Sequence, residues 1–230
     1  MDHREQNFNG FSAETLKFLN NLKANNNKEW FETHKGEYQK YLLEPLQNLA
    51  TDLSEGMLVI DPLLVVGSKA VSRIYKDTRF SGNKNPYKTT MWLTFKRPRK
   101  NWMDAPAYFF EIAPSSYRYG MGFYSASPDT MCKFREVIDE KPEEFQKAIS
   151  FYPKQKTFVI EGERYKKIFD KTKPIEIQDW YQRKNFYLVC NRKTDRELFS
   201  VRLVDDLLSG FRMIAPFYHY LLKLKGHELI

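Results

Sequence analysis

A chain of 230 residues with 42% apolar and 16% aromatic residues has ample material for a folded core, which excludes a disordered protein. It lacks both a run of about 18 apolar residues for a membrane span and an apolar leader, so we expect a cytoplasmic protein without a membrane partner. Residues 69–100 hold ten basic residues and one acid, a net charge of +9, whereas the whole chain has 37 basic and 29 acidic residues, a net of +8.

Helical periodicity predicts an N-terminal helical part over residues 8–56. Ser12 is the expected N-cap of a first helix that ends near the asparagines at 25–27. A second helix begins around Lys28 and reaches Pro45, which either kinks it or starts a new helix. The two cysteines and four histidines have no metal-ligand spacing, so no metal site is expected, and nothing in the chain identifies a cofactor.

Alternating apolar and polar residues predict a β-rich core over residues 63–124. The pattern starts at residues 63–66 and continues through the basic segment to residues 91–95, 108–112 and 117–123. Such alternation is typical of half-buried antiparallel strands.

The remaining residues, 127–230, read as helical with one further strand. A helix is expected from Ser127 to about Asp139, another to about residue 149, then an irregular stretch over 154–173. A strand at 186–190 precedes a long final helix whose apolar residues step by three and four up to Leu222. Helices, then strands, then helices indicate an α+β fold, with C-terminal helices packed on the sheet, in a single domain over 1–230.

Turn residues and alternation organise the basic segment into a predicted strand-turn-strand. Extended residues 71–79 would bring two arginines, a tyrosine and an aspartate to one face, with a turn at 81–83 and a return strand to residue 88. Arginine forks and lysine ammonium groups suit phosphate and carboxylate oxygens. The predicted ligand contacts are Arg73, Tyr75, Asp77, Arg79, Ser81, Lys84, Tyr87 and Lys88. Among the nearby aromatic residues, Trp102 is expected to be the most exposed.

The run from Arg73 to Thr90 resembles the signature of a bacterial and fungal family known only as a conserved domain of unknown function. The similar residues follow the pattern Arg-x-Tyr-x-Asp-Thr-Arg-Phe-Ser-x-x-Lys-x-Pro-Tyr-Lys-Thr, with upstream support from the asparagines at 25–27 and the aromatic pair at 30–31. The resemblance implies a cytoplasmic α+β domain and carries no activity with it. This chain has Gly82-Asn83 where family members commonly have Lys-Asp, which removes a carboxylate from position 83.

Three functions stay open at this stage. The favoured one is that the hairpin at residues 73–90 binds an anionic, phosphate-bearing ligand, either a small molecule or a nucleic-acid backbone. It could belong to an enzyme acting on a phosphate or carboxylate substrate, with Asp77 as base or orienter and Glu111 as a second carboxylate, although a glutamate on a strand more often pairs with a lysine of the neighbouring strand. It could also form a salt-bridge latch with the acids Glu136, Asp139, Glu140, Glu143 and Glu144. A solvated surface in which Asp77 forms an ordinary ion pair explains the charges equally well.

Overall fold

The computed structural model describes residues 6–77 and 85–226. Five strands form an antiparallel sheet in the order β1-β2-β3-β5-β4, namely Met91–Phe95 (β1), Pro106–Ala113 (β2), Ser116–Phe123 (β3), Val159–Glu161 (β4) and Tyr187–Lys193 (β5). The helices are Ala13–Ala24 (α1), Lys28–Thr33 (α2), Lys35–Tyr38 (α3), Glu44–Ile60 (α4), Pro128–Glu140 (α5), Pro142–Ala148 (α6), Ile175–Tyr181 (α7) and Leu203–Leu224 (α8). The predicted α+β class is confirmed. None of these helices is long and apolar enough to cross a bilayer.

The chain divides into two compact units. The first unit contains residues 1–95, 109–118 and 191–208, and the second contains residues 96–108, 119–190 and 209–230. The assignment of the whole chain to a single domain stays a prediction.

Each of the three consecutive asparagines after α1 has a separate role in the first unit. Asn25 is the C-cap of α1, and its backbone N–H donates to the carbonyl of Asn21. Asn27 is the N-cap of α2, where its side chain accepts from the backbone N–H of Trp30 at 3.0 Å. Asn26, between them, donates to the backbone carbonyl of Tyr87, 61 residues further along the chain. The expected end of the first helix is therefore confirmed, and it coincides with the start of the second.

Pro45 lies just after a π turn, and the residues on both sides of that turn have helical backbone angles, so the helical backbone continues into α4. The backbone widens into a π turn over residues 39–43, and Pro45 occupies the first turn of α4, where its missing N–H is tolerated. In a regular helix that N–H would bond the carbonyl of Tyr41. The buried hydroxyl of Thr15 donates to this carbonyl instead, at 2.6 Å. Thr15 also accepts from the backbone N–H of Ser12, so one side chain caps α1 and joins it to the π turn.

The prediction of a strand at residues 63–66 is wrong, because the chain turns there after α4 ends. The carboxylate of Asp61 accepts from the backbone N–H of Leu63 at 3.0 Å, and the carbonyl of Asp61 accepts from Leu64 at 3.2 Å. An aspartate that bonds the backbone two residues later stabilises a turn in place of a strand. The apolar run therefore leads into a short 3₁₀ turn at residues 67–70.

The stretch at residues 154–173, predicted to be irregular, contains β4, which is the outer strand of the sheet beside β5. Side chains satisfy the outward-facing backbone of this strand. The amide of Gln155 accepts from the N–H of Phe158 at 2.6 Å and donates to its carbonyl at 2.9 Å. The hydroxyl of Tyr152 accepts from the N–H of Ile160 at 3.1 Å. Arg183 donates to the carbonyl of Ile160 at 3.1 Å, so the edge of β4 is closed to a further strand.

In the second unit α8 packs on the sheet through aromatic rings. Tyr108 of β2 lies 4.7 Å from the ring of Tyr218 and 5.2 Å from that of Phe211. The β3 glycines at 120 and 122 lie so close to the backbone of β5 that a Cβ at either position would collide with it. The long final helix is confirmed, and it continues through Pro216.

Candidate functional site

The basic segment forms two paired arms in the first unit, residues 71–77 and 85–93, which we call the hairpin arms. Isolated antiparallel bridges join Val71 to Leu93 and Tyr75 to Tyr87. Backbone hydrogen bonds of 2.8 Å run from the N–H of Ser72 to Trp92, from Lys76 to Pro86 and from Lys88 to Ile74. Because β1 is the other outer strand of the sheet, the first hairpin arm covers its free edge.

Side chains alternate along the first arm as the sequence predicts. Arg73, Tyr75 and Asp77 are exposed, whereas Ile74 is buried. Tyr75 is 55% exposed, whereas Trp102 is half-buried. The expectation that Trp102 is the most exposed aromatic residue near the segment is therefore wrong. One face of the arm therefore presents a guanidinium, a phenol and a carboxylate to solvent.

An aromatic cluster beneath the arms fixes their position. Tyr87 is buried and its ring stacks on Phe31 at 4.1 Å, while Tyr75 lies 5.6 Å from Tyr87. Desolvation, followed by the neighbouring Tyr75, raises the pKa of Tyr38 to about 12. Desolvation also raises the pKa of Tyr87. The structure thus uses Tyr87 for packing, and its predicted contact with a ligand stays a prediction.

Asn26 holds the second arm by bonding both backbone groups of one residue. Its side-chain oxygen accepts from the N–H of Tyr87 and its nitrogen donates to the carbonyl of Tyr87, each at 3.0 Å. The asparagine therefore acts as an extra strand residue beside the arm. The sequence does not predict this contact. Its one unusual feature here is the run of three asparagines between two helices.

Two cations lie together where the arms meet. The ammonium of Lys88 donates to the carbonyl of Arg73 at 2.8 Å, which tethers the lysine to the first arm. Desolvation, and then the charge of Arg73, lower the pKa of Lys88. In the part of the chain that the structure describes, neither side chain forms an ion pair. The arms therefore carry two neighbouring positive charges, with the carboxylate of Asp77 on the same arm as Arg73.

Three predicted ligand contacts, Arg79, Ser81 and Lys84, lie outside the described residues, as does the expected turn at 81–83. The second carboxylate candidate, Glu111, is buried on β2 and accepts from Arg118 of β3 at 2.9 Å. The partner is an arginine of the neighbouring strand rather than the lysine that the sequence reasoning expected. The guanidinium of Arg118 also lies over the ring of Trp92, 5.3 Å from its centroid. The catalytic roles of Asp77 and Glu111 stay predictions.

The acids proposed for a latch lie in the second unit, and several of them have partners there. Asp139 pairs with Lys173 at 2.5 Å and accepts from the hydroxyl of Tyr181 at 2.7 Å. Glu144 of α6 lies 3.5 Å from Lys141, the N-cap residue of this helix. These contacts give the acids a local role in joining α5, α6 and α7.

The second unit also contains a cavity of about 690 Å³ beside β4. Its walls include the apolar side chains of Phe158, Ile177 and Trp180. Two of its polar wall residues, Gln155 and Tyr152, bond the backbone along the outer edge of β4, and the wall also carries charged residues of both signs. Among residues 6–77 and 85–226, no three His, Cys, Asp or Glu side chains converge as metal ligands.

The chain belongs to a family described as conserved hypothetical protein, DUF2461, whose model matches residues 14–220. The match includes both hairpin arms and the aromatic cluster beneath them. No curated protein matches the chain.

Proposed function

We propose that the protein binds an anionic, phosphate-bearing ligand on the exposed face of the hairpin arms. The observation that supports this function is the pair formed by Arg73 and Lys88, which are held together by the hydrogen bond from the lysine to the arginine carbonyl. Desolvation lowers the pKa of Lys88, and repulsion by the like charge of Arg73 lowers it further. An anion between them would remove this cost and gain two charge-assisted contacts.

The exposed residues around the pair favour phosphate as the anion. The planar fork of Arg73 can bond two phosphate oxygens. Tyr75, exposed on the same face of the first arm, offers a ring for the organic part of the ligand. Because Arg118 already balances Glu111, binding is better supported than catalysis by a pair of carboxylates.

Titration calorimetry with pyrophosphate and with AMP tests the proposal. Arg73→Ala should weaken binding by about 10- to 150-fold, since a hydrogen bond to a charged group contributes about 1.5–3 kcal/mol. Lys88→Met should weaken it similarly, and bound ligand should raise the pKa of Lys88 in the parent protein. Lys69→Gln is the matched control, because Lys69 is an exposed lysine of the same basic segment outside the arms.

The outcome that contradicts the proposal is equal affinity in Arg73→Ala and the parent, or equal losses in Arg73→Ala and Lys69→Gln. Equal losses would mean that the net charge of the segment attracts anions without a defined site. Stronger binding of AMP than of pyrophosphate would assign a contact to the ring of Tyr75, and Tyr75→Ala should remove that difference.

A further inference from the structure

A second surface combines aromatic and basic side chains, and it belongs to the second unit. It consists of the loop at residues 96–104, which follows β1, together with Tyr124 after β3. The ring of Trp102 lies 5.5 Å from that of Tyr124, with an angle of 45° between the ring planes. The ammonium of Lys96 lies 3.4 Å from the centroid of Trp102. We call these residues the loop surface.

The geometry leaves Tyr124 open to solvent while its neighbours fix it. Tyr124 is 66% exposed and Met103 is 45% exposed, whereas Trp102 is half-buried. The backbone N–H of Ser125 donates to the carbonyl of Met103 at 2.9 Å, which ties the two segments together next to the ring. A flat aromatic face held in this way is suited to stacking, because little side-chain entropy remains to be lost on contact.

The one acid of the loop surface has its partners away from the two exposed cations, Arg99 and Lys100. Asp104 accepts from the backbone N–H and hydroxyl of Ser127, from the hydroxyl of Thr130 and from the ammonium of Lys225, at 2.7–3.0 Å. Desolvation alone would raise the pKa of Asp104, but these hydrogen bonds have the larger combined effect, so the pKa is lowered. Within the described residues, Arg99 and Lys100 form no ion pair, and both are exposed.

We propose that the loop surface binds single-stranded nucleic acid, with a base stacked on Tyr124 and the backbone phosphates at Arg99 and Lys100. Of the four basic residues in the loop at 96–104, Arg99 and Lys100 are the exposed ones, and they are adjacent in the chain. Aromatic rings beside cations are how proteins hold single strands without reading sequence, since every base has a π face. A base in a duplex is already stacked on its neighbours, so the exposed ring of Tyr124 favours an unpaired strand. The same chemistry would accept DNA or RNA.

Fluorescence anisotropy with labelled U12 and dT12 at about 50 mM salt tests this site. Tyr124→Ala should weaken binding by about 5- to 150-fold, which corresponds to the loss of one stacked base. Tyr124→Trp should retain it. Lys100→Gln should lower the slope of log affinity against log salt by about 0.7, as expected for one lost phosphate contact on a single strand. Ile175→Ala and Lys154→Gln, exposed residues of the same unit outside the loop surface, should change neither quantity.

Several results would overturn the inference. The first two are no binding of either strand and equal affinity for U12 and a 12-base-pair duplex. The others are equal affinity of Tyr124→Ala and the parent for U12, and tighter binding of the protein to anionic phospholipid vesicles than to U12. Equal binding of U12 and dT12 supports recognition of bases and phosphates, and tighter binding of U12 adds a contact to the ribose 2′-hydroxyl. Arg73→Ala should leave U12 binding by the loop surface in place, so failure of one site does not decide the other.

Discussion

Asn26→Ala is expected to destabilise the second hairpin arm, because it removes both hydrogen bonds to the backbone of Tyr87. Tyr87 is buried, so water compensates its N–H and carbonyl poorly. A buried polar group without a partner costs about 1–3 kcal/mol, and two such groups give a loss of about 2–6 kcal/mol. For a chain of this size each kcal/mol lowers Tm by about 2–4 °C, so a fall of about 4–24 °C is expected.

Differential scanning calorimetry measures the change in Tm, and amide hydrogen exchange locates it. The N–H groups of Lys76 and Lys88, which bond across the arms, should exchange faster in Asn26→Ala. Asn25→Ala is the matched control, since the neighbouring asparagine side chain donates only to the local carbonyl of Asn21. A Tm within about 1 °C of the parent, or an equal fall in Asn25→Ala, would refute the reasoning.

Asn26→Asp gives a second test with a defined pH dependence. The carboxylate can still accept from the N–H of Tyr87, but it repels the carbonyl oxygen. Once protonated, the carboxyl can donate to that carbonyl and restore the second bond. The pKa of the new carboxyl should therefore be raised in the folded state, so the contribution to stability is present at low pH and is lost as the pH rises through that pKa.

Three further predictions concern groups with defined partners. Thr15→Val should lower the free energy of unfolding by about 2–3 kcal/mol, measured by urea denaturation, because the carbonyl of Tyr41 loses its donor; Thr15→Ser should retain most of the stability. The pKa of Asp104 is lowered in the folded state, so its contribution to the free energy of unfolding is present above about pH 4 and is lost as the pH falls below that value. Asp104→Asn should therefore make Tm less dependent on pH in the acid range. The pKa of Tyr38 is raised from 10.0 to about 12, so its contribution to the free energy of unfolding is present below pH 10 and is lost between pH 10 and 12. Tyr38→Phe should therefore reduce the fall in Tm over this alkaline range.

Periodicity was sufficient to predict β1, β2, β3 and α8 because each has several residues facing a core. Alternation likewise placed Arg73, Tyr75 and Asp77 on one exposed face. The same rule failed at residues 63–66, where the apolar residues are right for a strand but Asp61 bonds the backbone in a turn. A local hydrogen bond outweighed the pattern.

Long-range polar contacts were beyond the reach of sequence reasoning. Asn26 and Tyr87 are 61 residues apart, and neither residue type indicates the other as a partner. The three-residue strand β4 is too short for a periodic signal, and side chains bond its outer edge in place of a neighbouring strand. The predicted ligand contacts rest on charge and alternation alone, which locate a surface without identifying what it binds.

The closed edge of β4 has a consequence for how copies of this protein meet at high concentration. An open outer strand is a template on which another chain can add its own strand, and such additions lead to aggregation. Here an incoming strand would first have to displace Gln155, Tyr152 and Arg183 from their backbone partners. Gln155→Ala exposes the backbone N–H and carbonyl of Phe158. It should therefore increase light scattering on storage at temperatures well below its Tm, where the parent protein stays clear.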